Sequence, residues 1–146
     1  MLKKSWFYSL YKGVTLNKYE VLHQIGEGTF ADVYLCRRCD NGKPRVIKFF
    51  KQTTLSSRAA VANWCQEIMI HHNLDHPAVV KTFEFGTEGI IMKENGQKKK
   101  LPILYMVMEY VESDLLTLME KQGRPKEAQA RHLFRQIVEG VGYIHS

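Results

Sequence analysis

Hydrophobic and polar residues alternate along several stretches of the first third of the chain. Residues 19–25 and the run that starts at Val33 follow the two-residue period of β-strands, and a glycine-rich segment joins them. Residues 45–50 alternate in the same way after the turn Asp40-Asn41-Gly42. The pattern therefore predicts three consecutive strands, the first two antiparallel.

Three later stretches show a helical period of about 3.6 residues. The first, from residue 57 to about residue 74, puts Val61, Trp64, Cys65, Ile68 and His72 on one face. A short helix is predicted over residues 115–121 and a long one over residues 126–144, because Gly123 and Pro125 interrupt the pattern. The long helix carries an apolar stripe: Leu133, Phe134, Ile137, Val138, Val141 and Ile144.

Residues 79–85 and 101–108 fit a fourth and a fifth strand. The insertion between them, residues 86–100, holds Asn95-Gly96, which predicts a hairpin turn, and the charge run Lys98-Lys99-Lys100. We interpret the lysines as a solvated tip. Docking of an acidic partner or a nucleic acid is the alternative.

Composition sets outer limits on the protein class. The 146 residues are 45% hydrophobic, enough for one globular domain or part of one, and the net charge of +6 favours anionic partners without selecting any. Three cysteines without a secretion signal predict a cytoplasmic or nuclear location. No stretch has transmembrane length. Residues 1–18 form an aromatic, basic extension, either a tail or a membrane-surface anchor through Trp6, Phe7 and Leu10.

Candidate chemistry lies at the glycines and at one lysine. Gly26 and Gly28 have no Cβ, so their backbone can approach a bulky anion and offer N–H groups to it. Lys48 shares a strand face with Val46 and Phe50, and a cation among apolar groups needs an anion. A phosphate group is the obvious candidate.

These residues resemble the nucleotide-binding motifs of eukaryotic protein kinases. The run Gly26-Glu27-Gly28-Thr29-Phe30-Ala31-Asp32-Val33, followed by Val46-Ile47-Lys48, is similar to the family's glycine-rich loop and third-strand lysine. Lys48 follows Gly26 by 22 residues, as the family requires. A dinucleotide-binding βαβ unit is the alternative, but it needs a helix directly after the glycines, where this sequence has strand-like residues.

Further motifs extend the resemblance over residues 19–146. Glu67 stands where the family places the helix C acid that pairs with the lysine, and Asp75-His76-Pro77 matches the turn after that helix. The resemblance implies Lys48 and Glu67 as catalytic residues. It implies that these residues bind ATP: Ile25, Gly26, Glu27, Gly28, Thr29, Phe30, Ala31, Val33, Val46, Lys48, Met108, Glu109, Val111 and Asp114.

Within that set the resemblance gives each position a role. Met108 would be the gatekeeper, and the Glu109 carbonyl and the Val111 amide would read the adenine edge. Val33 and Val46 would enclose the base, although Val46 replaces the usual alanine. Asp114 would bond a ribose hydroxyl.

Two groups of residues contain side chains that can bind a metal ion. His71, His72 and His76 are close in sequence, and Cys36 and Cys39 have the spacing of at most half of a zinc site. We interpret both groups as packing and turn residues and predict no metal site in this chain. His71 also departs from the family, since most kinases carry a leucine there, although polo-type kinases have a similar pattern.

The resemblance implies an α+β, kinase-like fold with a five-stranded antiparallel sheet, helix C, a hinge and the first helices, D and E, of the helical lobe. The boundaries would be residues 1–18 for an extension, 19–108 for the N-terminal lobe, 109–114 for the hinge and 115–146 for the start of the C-terminal lobe. The sequence contains no His-Arg-Asp or Asp-Phe-Gly motif. The Mg²⁺ ligands of the family are therefore missing from these residues.

We therefore expect a truncated protein serine/threonine kinase that is inactive alone. Its expected partners are ATP, a protein substrate and the remainder of the C-terminal lobe, without nucleic acid or a transmembrane segment. Two alternatives stay open at this point: a short nucleotide-binding or scaffold form, and an interaction module without a nucleotide.

Overall fold

The computed structural model describes residues 13–51 and 56–146. They divide into two compact units. The first contains the described residues up to His72 together with Thr82–Tyr110, and the second combines Asn73–Lys81 with Val111–Ser146. The lobe and hinge boundaries given by the sequence stay predictions.

Six antiparallel strands build the first unit. They are β1 (Thr15–Leu16), β2 (Tyr19–Glu27), β3 (Ala31–Arg38), β4 (Pro44–Phe50), β5 (Thr82–Met92) and β6 (Lys98–Glu109). Their spatial order is β1-β2-β3-β4-β6-β5, and β1 also pairs with β5, which closes the sheet into a barrel. Short turns after β2, β3 and β5 make these strands antiparallel to the next ones, because a parallel pair needs a long crossover.

The antiparallel sheet is confirmed, but the prediction of five strands is wrong by one. Thr15–Leu16 form the additional strand β1, and Leu16 is fully buried. A strand of two residues is too short to produce a periodic pattern, so the sequence placed it in the 1–18 extension. Residues 1–12, which include Trp6, Phe7 and Leu10 of the alternative membrane-surface anchor, lie outside the described residues.

Two hydrophobic cores lie on opposite faces of the sheet, because successive residues of a strand point in opposite directions. The barrel interior holds Val14, Leu16, Tyr19, Val21, Tyr34, Cys36, Ile47, Phe49, Ile91, Ile103, Tyr105 and Val107. On the outer face Ala31, Phe50 and Met106 pack against the side chains of Trp64 and Ile68. These last two residues belong to helix α1 (Arg58–His72).

Helix α1 packs on the sheet along a narrower strip than the sequence indicates. Trp64 and Ile68 are buried and Val61 is half-buried, whereas Cys65 and His72 are exposed. The helix also ends at residue 72 rather than near residue 74. A straight helix on a twisted sheet buries a short line of side chains, so the edges of the predicted face reach solvent.

The predicted insertion extends two strands into a long hairpin. β5 and β6 stay paired as far as Met92 and Lys98, and the turn contains Gly96 with a φ of 78°. Glycine adopts this left-handed conformation without strain. β5 corresponds to the strand predicted over residues 79–85, and it begins at Thr82 rather than at residue 79.

The second unit contains helices α2 (Leu115–Gln122) and α3 (Glu127–His145). Residues 73–81 pack on α3 near its end. The Tyr143 ring stacks on His76 with a centroid distance of 4.8 Å, and its hydroxyl accepts a hydrogen bond from the Asp75 amide at 2.9 Å. A Cβ added at Gly140 would lie 3.0 Å from the Ala78 carbonyl oxygen, so the close approach depends on glycine.

Among the helices in the described residues, none has the length and apolar character needed to cross a membrane.

Candidate functional site

Four residues form a row across the strands of the first unit. Gly26 of β2 lies opposite Val33 of β3, and Val33 lies opposite Lys48 of β4. Met106 of β6 completes the row on the other side of Lys48. Residues directly opposite one another in a sheet point to the same face. The ammonium of Lys48 therefore projects from the face that carries the first glycine.

Helix α1 delivers a carboxylate to this lysine. Trp64 and Ile68 fix the helix on the sheet, and Oε1 of Glu67 forms an ion pair with Nζ of Lys48. The two side chains are 25% and 33% exposed for Lys48 and Glu67, so water screens the pair and it adds little to folding stability. Its effect is positional, since the acid fixes the ammonium. Nζ also lies 5.2 Å from the centre of the Phe50 ring.

Residues 26–31, which comprise the end of β2, the connecting turn and the first residue of β3, are called the glycine turn. A Cβ added at Gly26 would meet Val33 at 3.5 Å, an ordinary contact. At Gly28 it would lie 3.1 Å from the Ala31 carbonyl oxygen, which already accepts the Gly28 N–H at 2.9 Å. The turn itself therefore favours glycine at residue 28. At residue 26 the missing side chain leaves room for a ligand on the Lys48 face.

The remaining predicted residues in and beside the glycine turn are mostly exposed. Ile25 and Phe30 are 47% and 64% exposed, whereas Ala31 is buried. Glu27 and Thr29 also reach solvent. A ligand that covers large exposed apolar side chains such as Ile25 and Phe30 removes their surface from water, and this burial stabilises the bound state.

A valine and two methionines lie on the same face as Lys48. Val46, 7% exposed, is opposite Met108 in the register of β4 and β6. The fully buried Met106 lies directly beside Lys48, and the sequence reading did not select it. The alternation of Leu104, Met106 and Met108 along β6 was the signal that could have found it.

Three further predicted residues follow these strands. Glu109 ends β6, opposite Arg45 of β4. Val111 and Asp114 belong to the second unit, where Val111 is 55% exposed. Their roles toward an adenine or a ribose stay predictions.

Asp114 has a structural role that the sequence reading missed. Its Oδ1 accepts the Thr117 backbone N–H at 2.7 Å, which makes it the N-cap of α2. The hydrogen bond from the Thr117 backbone, and to a smaller extent the one from its side chain, lowers the pKa of this carboxyl below its usual range. An aspartate directly before a helical run was the available signal.

Lys51 was also missed, because the sequence assigned it to a polar connection. Its Nζ lies 2.8 Å from the carbonyl oxygen of Gly28, inside the glycine turn. The side chain thus contacts the turn that contains several of the predicted nucleotide-binding residues.

The protein kinase domain model matches residues 19–146. The chain belongs to the protein kinase domain family. Family membership confirms the resemblance drawn from the glycine run, the lysine and the helix acid. Members of this family use ATP and Mg²⁺.

Curated relatives support the family. The chain is 32% identical over 144 residues to CBL-interacting serine/threonine-protein kinase 19 of Arabidopsis thaliana, covering 99% of this chain and 27% of the relative. It is 34% identical over 134 residues to CBL-interacting protein kinase 19 of Oryza sativa subsp. japonica, covering 92% and 24%. The chain thus spans about a quarter of the length of these kinases.

The two groups of histidines and cysteines considered for metal binding lie in the described part of the chain. Among the described residues there is no group of three His, Cys, Asp or Glu side chains that could hold a metal ion. Cys36 is buried and donates to the Arg45 carbonyl oxygen, and burial raises its thiol pKa to about 12. Cys39 is exposed. A buried thiol that stays protonated is a poor metal ligand.

Proposed function

We propose that this chain is the ATP-binding part of a protein serine/threonine kinase, which transfers the γ-phosphoryl group of ATP to protein hydroxyls. One observation carries the proposal. Lys48 is paired with Glu67 on the same sheet face as Gly26. A cation held in place therefore lies on the same face as the backbone of Gly26, which no side chain of its own covers. This combination suits a phosphate chain.

The chain's own residues bind and orient the nucleotide in this proposal. Lys48 holds the α- and β-phosphates, and Glu67 keeps its ammonium in place. The glycine turn covers the phosphates. Val33 and Val46 contact the base, and Met108 limits the depth of the adenine pocket.

The connection after β6 would complete nucleotide binding. The Glu109 carbonyl and the Val111 amide read the adenine edge, and Asp114 is available to the ribose while it caps α2. ATP supplies the phosphoryl group. Mg²⁺ and the substrate hydroxyl require carboxylates that these 146 residues do not contain in the family's positions, so the rest of the helical lobe provides them.

Titration of the purified chain with ATP tests the binding half. Lys48→Met should weaken ATP binding by about ten- to a hundredfold, because a charge-assisted contact to phosphate is lost. Lys43→Met is the matched control, since Lys43 is an exposed residue at the far end of β3 and β4. Equal ATP affinity of the wild type and Lys48→Met would overturn the proposed site.

Phosphate transfer is tested on the full-length product of the gene with a mixed peptide library and labelled ATP. We expect transfer to serine and threonine that Lys48→Met abolishes. A full-length protein that binds ATP and transfers nothing would replace the kinase proposal with the nucleotide-binding or scaffold alternative.

We also propose a location in the cytoplasm or nucleus. It is supported by the three cysteines, which are free thiols.

A further inference from the structure

We propose that Lys51 is a positioning residue that holds the glycine turn in the shape that receives phosphates. This inference rests on the proposed nucleotide-binding function. Lys51 follows β4 directly, and its ammonium acts on the turn from the side opposite to Lys48.

The contacts of Lys51 converge on the glycine turn. Its Nζ donates to the Gly28 carbonyl oxygen at 2.8 Å, and its backbone N–H donates to the Phe30 carbonyl oxygen at 2.9 Å. One residue thus binds two carbonyls of the turn. Because Gly28 also donates its N–H to Ala31, both backbone groups of this glycine are engaged.

Charge explains why a lysine stands there. Nζ lies 3.1 Å from Oδ1 of Asp32, an ion pair without the alignment of a hydrogen bond, and 3.6 Å from Oε1 of Glu27. The Asp32 side chain is 11% exposed. A carboxylate buried to this extent needs a cation, so Asp32 fixes the ammonium and the ammonium fixes Gly28.

The register separates the roles of the two lysines. Glu27 lies opposite Asp32, one step along from the pair of Gly26 and Val33. Since neighbouring residues of a strand point to opposite faces, the acids that bind Lys51 lie on the face away from Lys48. Lys51 therefore acts on phosphate through the backbone of the turn and not as a second phosphate ligand.

The first experiment measures amide hydrogen exchange of residues 26–31 in the nucleotide-free chain. Lys51→Met should increase deuterium uptake of this segment by about tenfold in rate, because a charge-assisted hydrogen bond to the turn is lost. Lys51→Arg keeps a cation that can bind Asp32 and Gly28, and should restore most of the protection. Lys43→Met, at the other end of the strands, should leave the uptake unchanged.

A second measurement compares the affinities for ATP and for adenosine. Lys51→Met should weaken ATP binding by about tenfold and leave adenosine binding unchanged, since adenosine has no phosphates for the turn to contact. A general loss of stability would lower both affinities alike. The affinity ratio thus separates positioning of the turn from support of the whole fold.

One further variant covers a folding failure. If Lys51→Met leaves Asp32 unpaired and the chain does not fold, the double variant Asp32→Asn/Lys51→Met removes the buried charge and is measured in its place. Faster exchange and a lowered ATP-to-adenosine affinity ratio in that variant support the inference.

The two proposals fail in different ways. Unchanged exchange in Lys51→Met, or in the double variant, overturns the positioning role even if the wild type binds ATP. A wild type that does not bind ATP overturns the proposed function, and the anchoring of the turn is then still decided by the exchange rates.

Discussion

The two units of this chain differ in how far their large apolar side chains are buried. The sheet unit buries its large side chains in two cores, with Phe49 2% exposed. In the described part of the helical unit, Gly140 is the buried residue of α3 and α2 has none, while Phe134 is 65% exposed. Closure of a sheet buries one of its faces within the unit itself, whereas α2 and α3 leave large apolar side chains such as Leu116 and Phe134 exposed.

This contrast predicts unequal costs for the same truncation. Phe49→Ala removes a ring that packs edge-on against Tyr34 at 5.6 Å between ring centroids. We expect a loss of about 3–5 kcal/mol in the free energy of unfolding. Phe134→Ala should change it by less than about 0.5 kcal/mol. Urea denaturation followed by tryptophan fluorescence measures both; equal losses would show that the α3 stripe is covered in solution.

The exposed stripe also predicts self-association of the isolated chain. Phe134, Val138 and Val141 lie on it with exposures of 65%, 52% and 45%. Phe134→Glu should weaken association by at least about tenfold, because the charge must be desolvated at the contact. Ile70→Glu, on an exposed residue of the sheet unit, is the control. Light scattering measures the molar mass, and a monomer at every concentration would contradict this use of α3.

Two glycines in α3 provide a finer test within the helical unit. A Cβ at Gly142 would meet nothing within 4 Å, whereas at Gly140 it would press on Ala78. Gly142→Ala should stabilise the chain by about 0.5–1 kcal/mol through helix propensity. Gly140→Ala should be less stable than Gly142→Ala by about 1–3 kcal/mol because of overpacking. Thermal unfolding compares the two, and equal effects would show that residues 73–81 do not pack on α3 in solution.

The smallest expected effect concerns the cap of α2. The pKa of Asp114 is lowered in the folded chain, so its stabilising contribution is complete above the usual pKa of aspartate and is lost as the pH falls through the lowered value. The protection factors for amide exchange of residues 115–118, which correct for the intrinsic pH dependence of exchange, should fall over that acid range. Asp114→Asn keeps an acceptor that does not titrate and should remove this dependence. A wild type with the same pH profile as Asp114→Asn would rule out the cap.

The sequence predicted the helices and most of the sheet because their patterns are periodic over many residues. It did not predict β1, because a two-residue strand has no period, and it overestimated the buried face of α1 at Cys65. The spacing of Gly26, Lys48 and Glu67 identified the family. The spacing could not show that Lys48 and Glu67 are paired, since an ion pair depends on where the helix packs.

The sequence by itself determined the helices and the strands after β1 in their order, the alternation that puts Lys48 among apolar residues, and the motifs shared with protein kinases. All of these depend on residues close together along the chain. The tertiary structure alone decided that β1 closes the barrel, that Glu67 reaches Lys48, and that Lys51 binds Gly28 and Asp32. Those contacts join residues distant in sequence, and side-chain packing and the burial of charge select them only after the strands have paired.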